Sequence, residues 1–327
     1  MKIQLISDLT DLFYLTGMSL SRGLLILAES ESRLYVDTRY FEEAKKKSAH
    51  PAYLWERNAP FEWAQTLSPK MVQFDSSTTS FDTYLFYQKF FPNLEPIPGL
   101  CRAKRRIKTT SEISALQKAA HLTHRGIEHV IKKLRKGVTE QELAWEFEKF
   151  VRENGASHLS FDSIIAFGEA SAVPHHRACK AALHDNSIVL IDVGAVVDSY
   201  HGDLTRVAFF GVPNSVLEKR YRLIQEASQR ALNAIRPGAR VKDLDLVVRE
   251  FFRQHGVESL FTHSLGHGIG LETHESPSIR ANHADGDLLL EDGMTFTIEP
   301  GLYEPGLGGV RFEEMVVVRN GKGEVIK

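Results

Sequence analysis

The chain has 327 residues, 43% hydrophobic and 25% charged, and its 40 Lys and Arg against 42 Asp and Glu leave a net charge of -2. This is ordinary globular composition, and the near balance excludes a protein built mainly to bind nucleic-acid phosphates or acidic membrane, which needs a basic excess. Two cysteines, Cys101 and Cys179, exclude a disulfide framework; with no signal-peptide pattern and no apolar run near the roughly 18 residues of a membrane span, the chain reads as soluble and cytoplasmic.

In chain order, residues 23–28 and 33–37 read as strands joined by a turn at 29–32, and 40–47 as a short charged helix. Residues 71–75 read as a further strand and 84–90 as a helix. Three prolines between 91 and 99 suit a linker, which places a domain boundary near 100–110. The basic run 102–108, with five Lys or Arg in seven residues, reads as a solvated strand or linker, because the chain as a whole has no basic excess.

Beyond it, Thr109 with Glu112 and Thr139 with Glu142 have capping-box spacing and open two amphipathic helices, ending near Leu134 and Asn154. A shift of 101 residues finds a second helix pair, 215–235 and 241–255. Gly137 matches Gly238, Leu143 matches Leu244, Phe150 matches Phe251, Arg152 matches Arg253 and Gly155 matches Gly256. Five anchors at one offset indicate a duplicated helix-helix-sheet unit, with a natural ligand site between its halves. His121, His124 and His129 lie at helical spacing and read as surface residues.

Nine of the 14 histidines fall between His175 and His283. In the same stretch an apolar strand at 187–197, turn residues at 198–202 and a strand at 203–210 make a hairpin. Folded about that loop, Asp192 comes opposite Asp203, where cross-strand Cβ atoms lie about 5 Å apart. A second hairpin runs from Met294 through a Gly/Pro-rich turn at 300–309 to a return strand at 310–318, and folding it about Gly306 sets Glu299 opposite Glu313. Between the hairpins, the glycines around His263 and His267 argue against a helical ligand pair and let backbone approach closely. Facing carboxylates in apolar strands need a cation or a shared proton. Four carboxylates and one histidine suit a pair of hard or borderline divalent ions.

Asp192-x-Gly-(x)8-Asp203-x-Thr-Arg206, Gly266-His-Gly-Ile-Gly-Leu-x-x-His-Glu275, Thr297-Ile-Glu-Pro-Gly301 and Gly309-Val-Arg-x-Glu313 together resemble the pita-bread metallopeptidases, within them the Xaa-Pro aminopeptidase and prolidase branch. Leu12-Phe-Tyr-Leu-Thr-Gly17 and Val36-Asp-Thr-Arg-Tyr40 are similar to the creatinase-like N-terminal domain, and Arg106-Ile-Lys-x-x-x-Glu112 to the lead-in of the catalytic domain. The resemblance implies an α+β pita-bread catalytic domain over 106–327 with internal pseudo-two-fold duplication, preceded by a smaller α/β creatinase-like domain over 1–105; the start is short against the family's pattern, either because that domain is trimmed or because the assigned start is late.

It further implies metal ligands Asp192, Asp203, His267, Glu299 and Glu313, with Asp203 and Glu313 bridging two ions, manganese first and cobalt or zinc as alternatives. Glu299 doubles as the base. His263 and His274 stabilise the tetrahedral intermediate, and His175 and Arg311 hold the substrate's C-terminal side and neighbouring carboxylates. Of the adjacent pair after Pro174, His175 takes the role and His176 points outward. The implied activity is hydrolysis of the bond before proline in peptides, by a homodimer with no nucleic-acid or membrane partner. A methionine-type aminopeptidase or amidohydrolase on the same fold is the alternative enzyme. A non-catalytic binding protein is the alternative outside enzymes, and the intact ligand set counts against it.

Overall fold

Short strands that send successive apolar side chains to opposite faces build the first of two compact units, Met1–Arg105, in a computed structural model that describes residues 1–327. Its elements are β1 (Lys2–Ile6), α1 (Leu9–Thr16), β2 (Leu24–Leu27), β3 (Ser32–Val36), α2 (Phe41–Lys47), β4 (Ala52–Leu54), α3 (Ala59–Thr66), β5 (Met71–Asp75), α4 (Phe81–Gln88), β6 (Leu94–Ile97) and α5 (Arg102–Arg106). The six strands form one sheet in the order β4-β3-β2-β1-β5-β6. Leu24 and Ile26 pack on one face with Phe61 and Phe74, while Leu25 packs on the other with Leu12 and Leu34. A period of two with both faces apolar is the pattern of a sheet covered on both sides.

Two expectations fail here. The proline-rich stretch at 91–99 contains β6, which pairs in parallel with β5 through Val72↔Leu94 and Asp75↔Ile97. The strand is tolerated because it lies at the sheet edge, where the missing N–H of Pro96 costs little. The basic run is not a solvated strand or linker either. It forms α5, and Arg105 is buried with Nη1 donating to Asp11 Oδ1 at 3.0 Å.

The second unit, Arg106–Lys327, begins with α6 (Thr110–Lys132) and α7 (Glu140–Glu153), each opened by a complete capping box. There follow β7 (His158–Leu159), β8 (Ile164–Phe167), β9 (Ser187–Val193), β10 (Ala195–Val197), β11 (Tyr200–His201) and β12 (Leu204–Phe210). The second half repeats the scheme with α8 (Ser215–Ala234), α9 (Val241–Gln254), β13 (Gly266–Gly268), β14 (Glu275–Ile279), β15 (Thr295–Ile298), β16 (Gly301–Glu304), β17 (Gly308–Arg311), β18 (Glu314–Arg319) and β19 (Lys322–Val325). Its sheets are β12-β9-β8, β11-β10-β7, β14-β13-β15-β18-β19 and the pair β16-β17.

The duplication is physical. Gly137 and Gly238 both have φ 83°, and Gly155 and Gly256 both take the left-handed conformation that ends a helix. Gly137 N donates to Leu183 O at 2.9 Å, and Gly238 N to Leu290 O at 2.8 Å. Each half has its own core. Leu116, Leu143 and Phe147 meet Val189 and Ile191 in one; Ile224, Leu244 and Phe252 meet Phe296 and Ile298 in the other. His129, expected at the surface, is half-buried instead, its ring stacked 4.6 Å from Phe150 across the first helix pair. No helix is long and apolar enough to cross a membrane.

Candidate metal centre

Each half delivers two carboxylates from one hairpin. In the first, β9 and β12 pair through Val193↔Leu204 and Asp192↔Thr205, and β10 and β11 carry the same register to Val197↔Tyr200. Asp198 (φ 51°) and Ser199 (φ 69°) make the two-residue tip, the geometry of a type I′ turn. The turn centre therefore lies one residue later than the sequence reading placed it, and the register slips by two. Asp192 faces Thr205, not Asp203. A slip of two leaves both aspartates on one face as diagonal neighbours, so the pair survives.

In the second hairpin, Ile298↔Glu314 and Gly301↔Arg311 belong to a single register, which sets Glu299 across from Glu313. The expected Gly/Pro-rich turn is mostly strand, with β16 and β17 leaving only residues 305–307 as the bend.

His267 arrives on β13, between β14 and β15. The flanking glycines are steric necessities: a Cβ on Gly266 would lie 1.9 Å from Thr297 O, and one on Gly268 2.4 Å from Ser276 O. Gly266→Ala must therefore prise β13 from β15, and overpacking of this kind costs about 3 kcal/mol. A lowered urea midpoint together with lost metal affinity is the expected result; wild-type values for both would show that His267 does not depend on this strand contact.

The ring of His267 is oriented as a ligand. Its Nδ1 lies 3.1 Å from Gly268 O and donates to it, leaving the Nε2 lone pair 3.5 Å from both Asp203 Oδ2 and Glu299 Oε1. A lone pair aimed at two carboxylates is repulsive unless a cation or a carboxyl proton lies between them. Burial, with His274 close by, pushes His267 down to about 3, so protonation does not supply that cation. The liganding atoms of Asp203, His267 and Glu313 lie within 4.8 Å of one another.

Asp192, Asp203 and Glu313 are buried and Glu299 nearly so. Burial and then mutual repulsion push Asp203 and Glu299 well above the ordinary carboxylate range, and burial with Asp192 nearby pushes Glu313 up to about 8. One guanidinium answers them. Arg311 reaches Asp192 Oδ2 with Nη2, Thr205 Oγ1 with Nε at 3.0 Å and Tyr303 Oη with Nη1 at 2.7 Å. Thr205 Oγ1 in turn donates to Glu313 Oε2 at 2.7 Å. Asp192 Oδ1 is buried without a hydrogen-bond partner. An oxygen-rich donor set with one imidazole nitrogen, an orphaned carboxylate oxygen and too little positive charge fits divalent cations.

The remaining expected residues divide. His274 is exposed, its ring 4.2 Å from that of His267, and His175 is exposed; burial first, and His175 as a lesser neighbour, lower the proton affinity of His263 and His274. His263 is committed: Nδ1 lies 2.7 Å from Ser264 O, and Nε2 lies 3.0 Å from Tyr303 Oη and accepts from it. It has no N–H left for a reaction intermediate, contrary to the donor role expected of it. Arg311 is enclosed and braces Asp192, Thr205 and Tyr303, so it is not an open substrate contact. His176, expected to point outward, turns inward with Nε2 2.8 Å from Glu140 Oε2. A carboxylate on α7 with no solvent exposure draws it in.

Sequence reasoning passed over Tyr303 and quoted Thr205 within a motif without giving it a role. Thr205 was detectable, because it lies two residues from Asp203 and so shares its strand face. The pair Lys108 and Glu275, 3.5 Å apart and buried, was missed as well, and it gives the last residue of the basic run a partner.

The metallopeptidase family M24 model matches residues 114–320, and the creatinase/prolidase N-terminal domain model matches residues 2–107. An Xaa-Pro dipeptidase from Pyrococcus furiosus is 33% identical over 320 residues, 97% of this chain and 91% of that protein. The solved Xaa-Pro dipeptidase from Bacillus anthracis superposes with a TM-score of 0.95 at 32% identity, over 99% of this chain and 92% of that one. The X-Pro aminopeptidase from Thermotoga maritima superposes with a TM-score of 0.92 at 30% identity, over 99% and 95%.

Proposed function

Because the chain belongs to metallopeptidase family M24, a family of hydrolases that use divalent metal ions, we propose that it cleaves the peptide bond between an N-terminal residue and proline. In this reading a creatinase-like domain over 1–105 precedes the pita-bread catalytic domain over 106–327, and the active form is a homodimer. Cys101 and Cys179 are both free thiols, which suits a reducing, cytoplasmic setting.

The observation that supports hydrolysis most directly is the His267 Nε2 lone pair facing buried Asp203 and Glu299 at 3.5 Å. Asp192, Asp203, His267, Glu299 and Glu313 would hold two divalent ions, manganese first. When bound, the ions supply Lewis-acid polarisation of the scissile carbonyl and acidify water. Glu299 takes the proton of the attacking water at its carboxylate and passes it to the departing proline nitrogen. His274, exposed beside His267, donates a hydrogen bond to the oxyanion as it develops. His175 holds the C-terminal side of the substrate. Arg311 and Tyr303 act through Asp192 and His263, fixing the carboxylates and the uncharged state of that imidazole.

The Mn²⁺-loaded protein should cleave an Xaa-Pro dipeptide, an Xaa-Pro-Xaa tripeptide or both, and a chelated control should cleave neither. Cleavage of the dipeptide alone makes it a dipeptidase; cleavage of the tripeptide makes it an aminopeptidase. No cleavage with metal bound, or equal cleavage of matched peptides lacking proline, removes the proline-specific reading.

A further inference from the structure

A second cluster of metal-competent side chains lies outside the carboxylate centre and shares no residue with it. Glu140, the first residue of α7, is fully buried, and its carboxylate gathers four donors. Oε1 accepts from Phe167 N at 2.9 Å; Oε2 accepts from Cys179 N at 3.0 Å, His176 Nε2 at 2.8 Å and Cys179 Sγ at 3.2 Å. The oxygen, nitrogen and sulfur therefore converge on one point, all within 4.8 Å of one another.

We propose that Glu140, His176 and Cys179 form a single-ion zinc site, separate from the catalytic centre. Zinc bonds of about 2.0–2.1 Å to nitrogen, 2.0–2.2 Å to oxygen and 2.3 Å to sulfur give tetrahedral edges of about 3.4 Å between O and N and about 3.6 Å between O and S. The O···N and O···S separations of 2.8 and 3.2 Å need open by only about half an ångström to reach those edges. One carboxylate and one thiolate neutralise a dication, and a neutral imidazole completes the protein's share. Cys179 is exposed, so the fourth position opens to water.

Binding releases one proton, that of the Cys179 thiol, to solvent, while the imidazole proton moves to Nδ1. The backbone is already in place, since Gln141 N donates to Cys179 O at 3.0 Å and Glu140 N to Ala181 O at 3.2 Å. Softness separates the two centres: a thiolate favours zinc, whereas an oxygen-dominated set suits a harder ion such as manganese. The consequence concerns His175. It is next to His176 on the same segment, so an ion here ties that segment to the start of α7.

The test uses Co²⁺ as a spectroscopic stand-in, titrated into the Mn²⁺-loaded full-length protein. A thiolate-to-cobalt charge-transfer band should rise to one equivalent per chain and vanish on addition of one equivalent of Zn²⁺. The carboxylate centre has no thiol, its one nearby sulfur being the Met315 thioether, and cannot produce it. The band should be absent from Cys179→Ala, weakened at least about tenfold in affinity in His176→Gln, and unchanged in Asp203→Asn. No band in the wild-type protein overturns the proposal, and so does a band that survives Cys179→Ala, which would report Cys101. Asp203→Asn also separates the two readings, because it disables the proposed peptidase and leaves this site intact.

Discussion

Asp203→Asn is expected to cut peptidase activity by at least about a thousandfold, roughly 4 kcal/mol of transition-state stabilisation, while making the metal-free protein more resistant to urea. The two effects have opposite signs because they belong to different states of the same cluster. With ions bound, Asp203 would be one of their carboxylate ligands, which an amide replaces poorly. Without them, it is a buried acid among Asp192, Glu299 and Glu313, and an uncharged isostere relieves repulsion that Arg311 offsets only in part. Metal content by atomic absorption should fall from two ions to one or none, and the urea midpoint of the chelated protein should rise. Full activity with a single ion bound would remove the two-ion mechanism.

A second large effect is expected in the metal-free protein above neutrality, where its stability should fall from about pH 6.5 to about pH 8. Glu313 is pushed up to about 8, and Asp203 and Glu299 well above their ordinary values, so the folded chain keeps protons that the unfolded chain has already released. Each such proton lowers stability by about 1.4 kcal/mol per pH unit.

Below pH 6.5 the buried histidines oppose the trend. His201 and His263 are held down to about 4 and His267 to about 3 by burial, so there the unfolded state binds three protons that the folded state does not, which offsets the three carboxyls and leaves stability nearly flat. The metal-free form should therefore hold its stability up to about pH 6.5 and lose it above. Divalent ions should abolish the decline and release protons on binding, since only deprotonated carboxylates coordinate. Urea midpoints of chelated and Mn²⁺-loaded protein from pH 5 to 8 measure both limbs. A midpoint that rises steadily to pH 8 in the chelated protein would contradict the crowding of the carboxylates.

What was legible in the sequence is what is local. Thr109 with Glu112 and Thr139 with Glu142 mark their helix starts because a capping box closes within four residues. Gly137 and Gly238 mark matching turns because a left-handed backbone strongly favours glycine. The second hairpin's register followed from Gly306 at its bend. The first did not, because Asp198 and Ser199 adopt positive φ without a glycine to signal it.

Long-range partners were the blind spot. Tyr303 meets His263 from 40 residues away, Arg105 finds Asp11 across 94, and His176 finds Glu140 across 36. A buried group's partner is set by packing, and spacing along the chain carries no trace of it. The five ligand candidates, and Arg311 as a holder of neighbouring carboxylates, were legible because the motifs hold them; Tyr303, which meets that arginine, was not.

The duplicated halves leave a mark on the centre. Each contributes one carboxylate at the end of an outgoing strand, Asp192 or Glu299, and one immediately before a return strand, Asp203 or Glu313. His267, Tyr303 and Arg311 all come from the second half. The four acids therefore follow the repeat, whereas the one imidazole nitrogen facing them and the one enclosed guanidinium beside them do not, so the centre is lopsided in its bases although its acids are evenly shared.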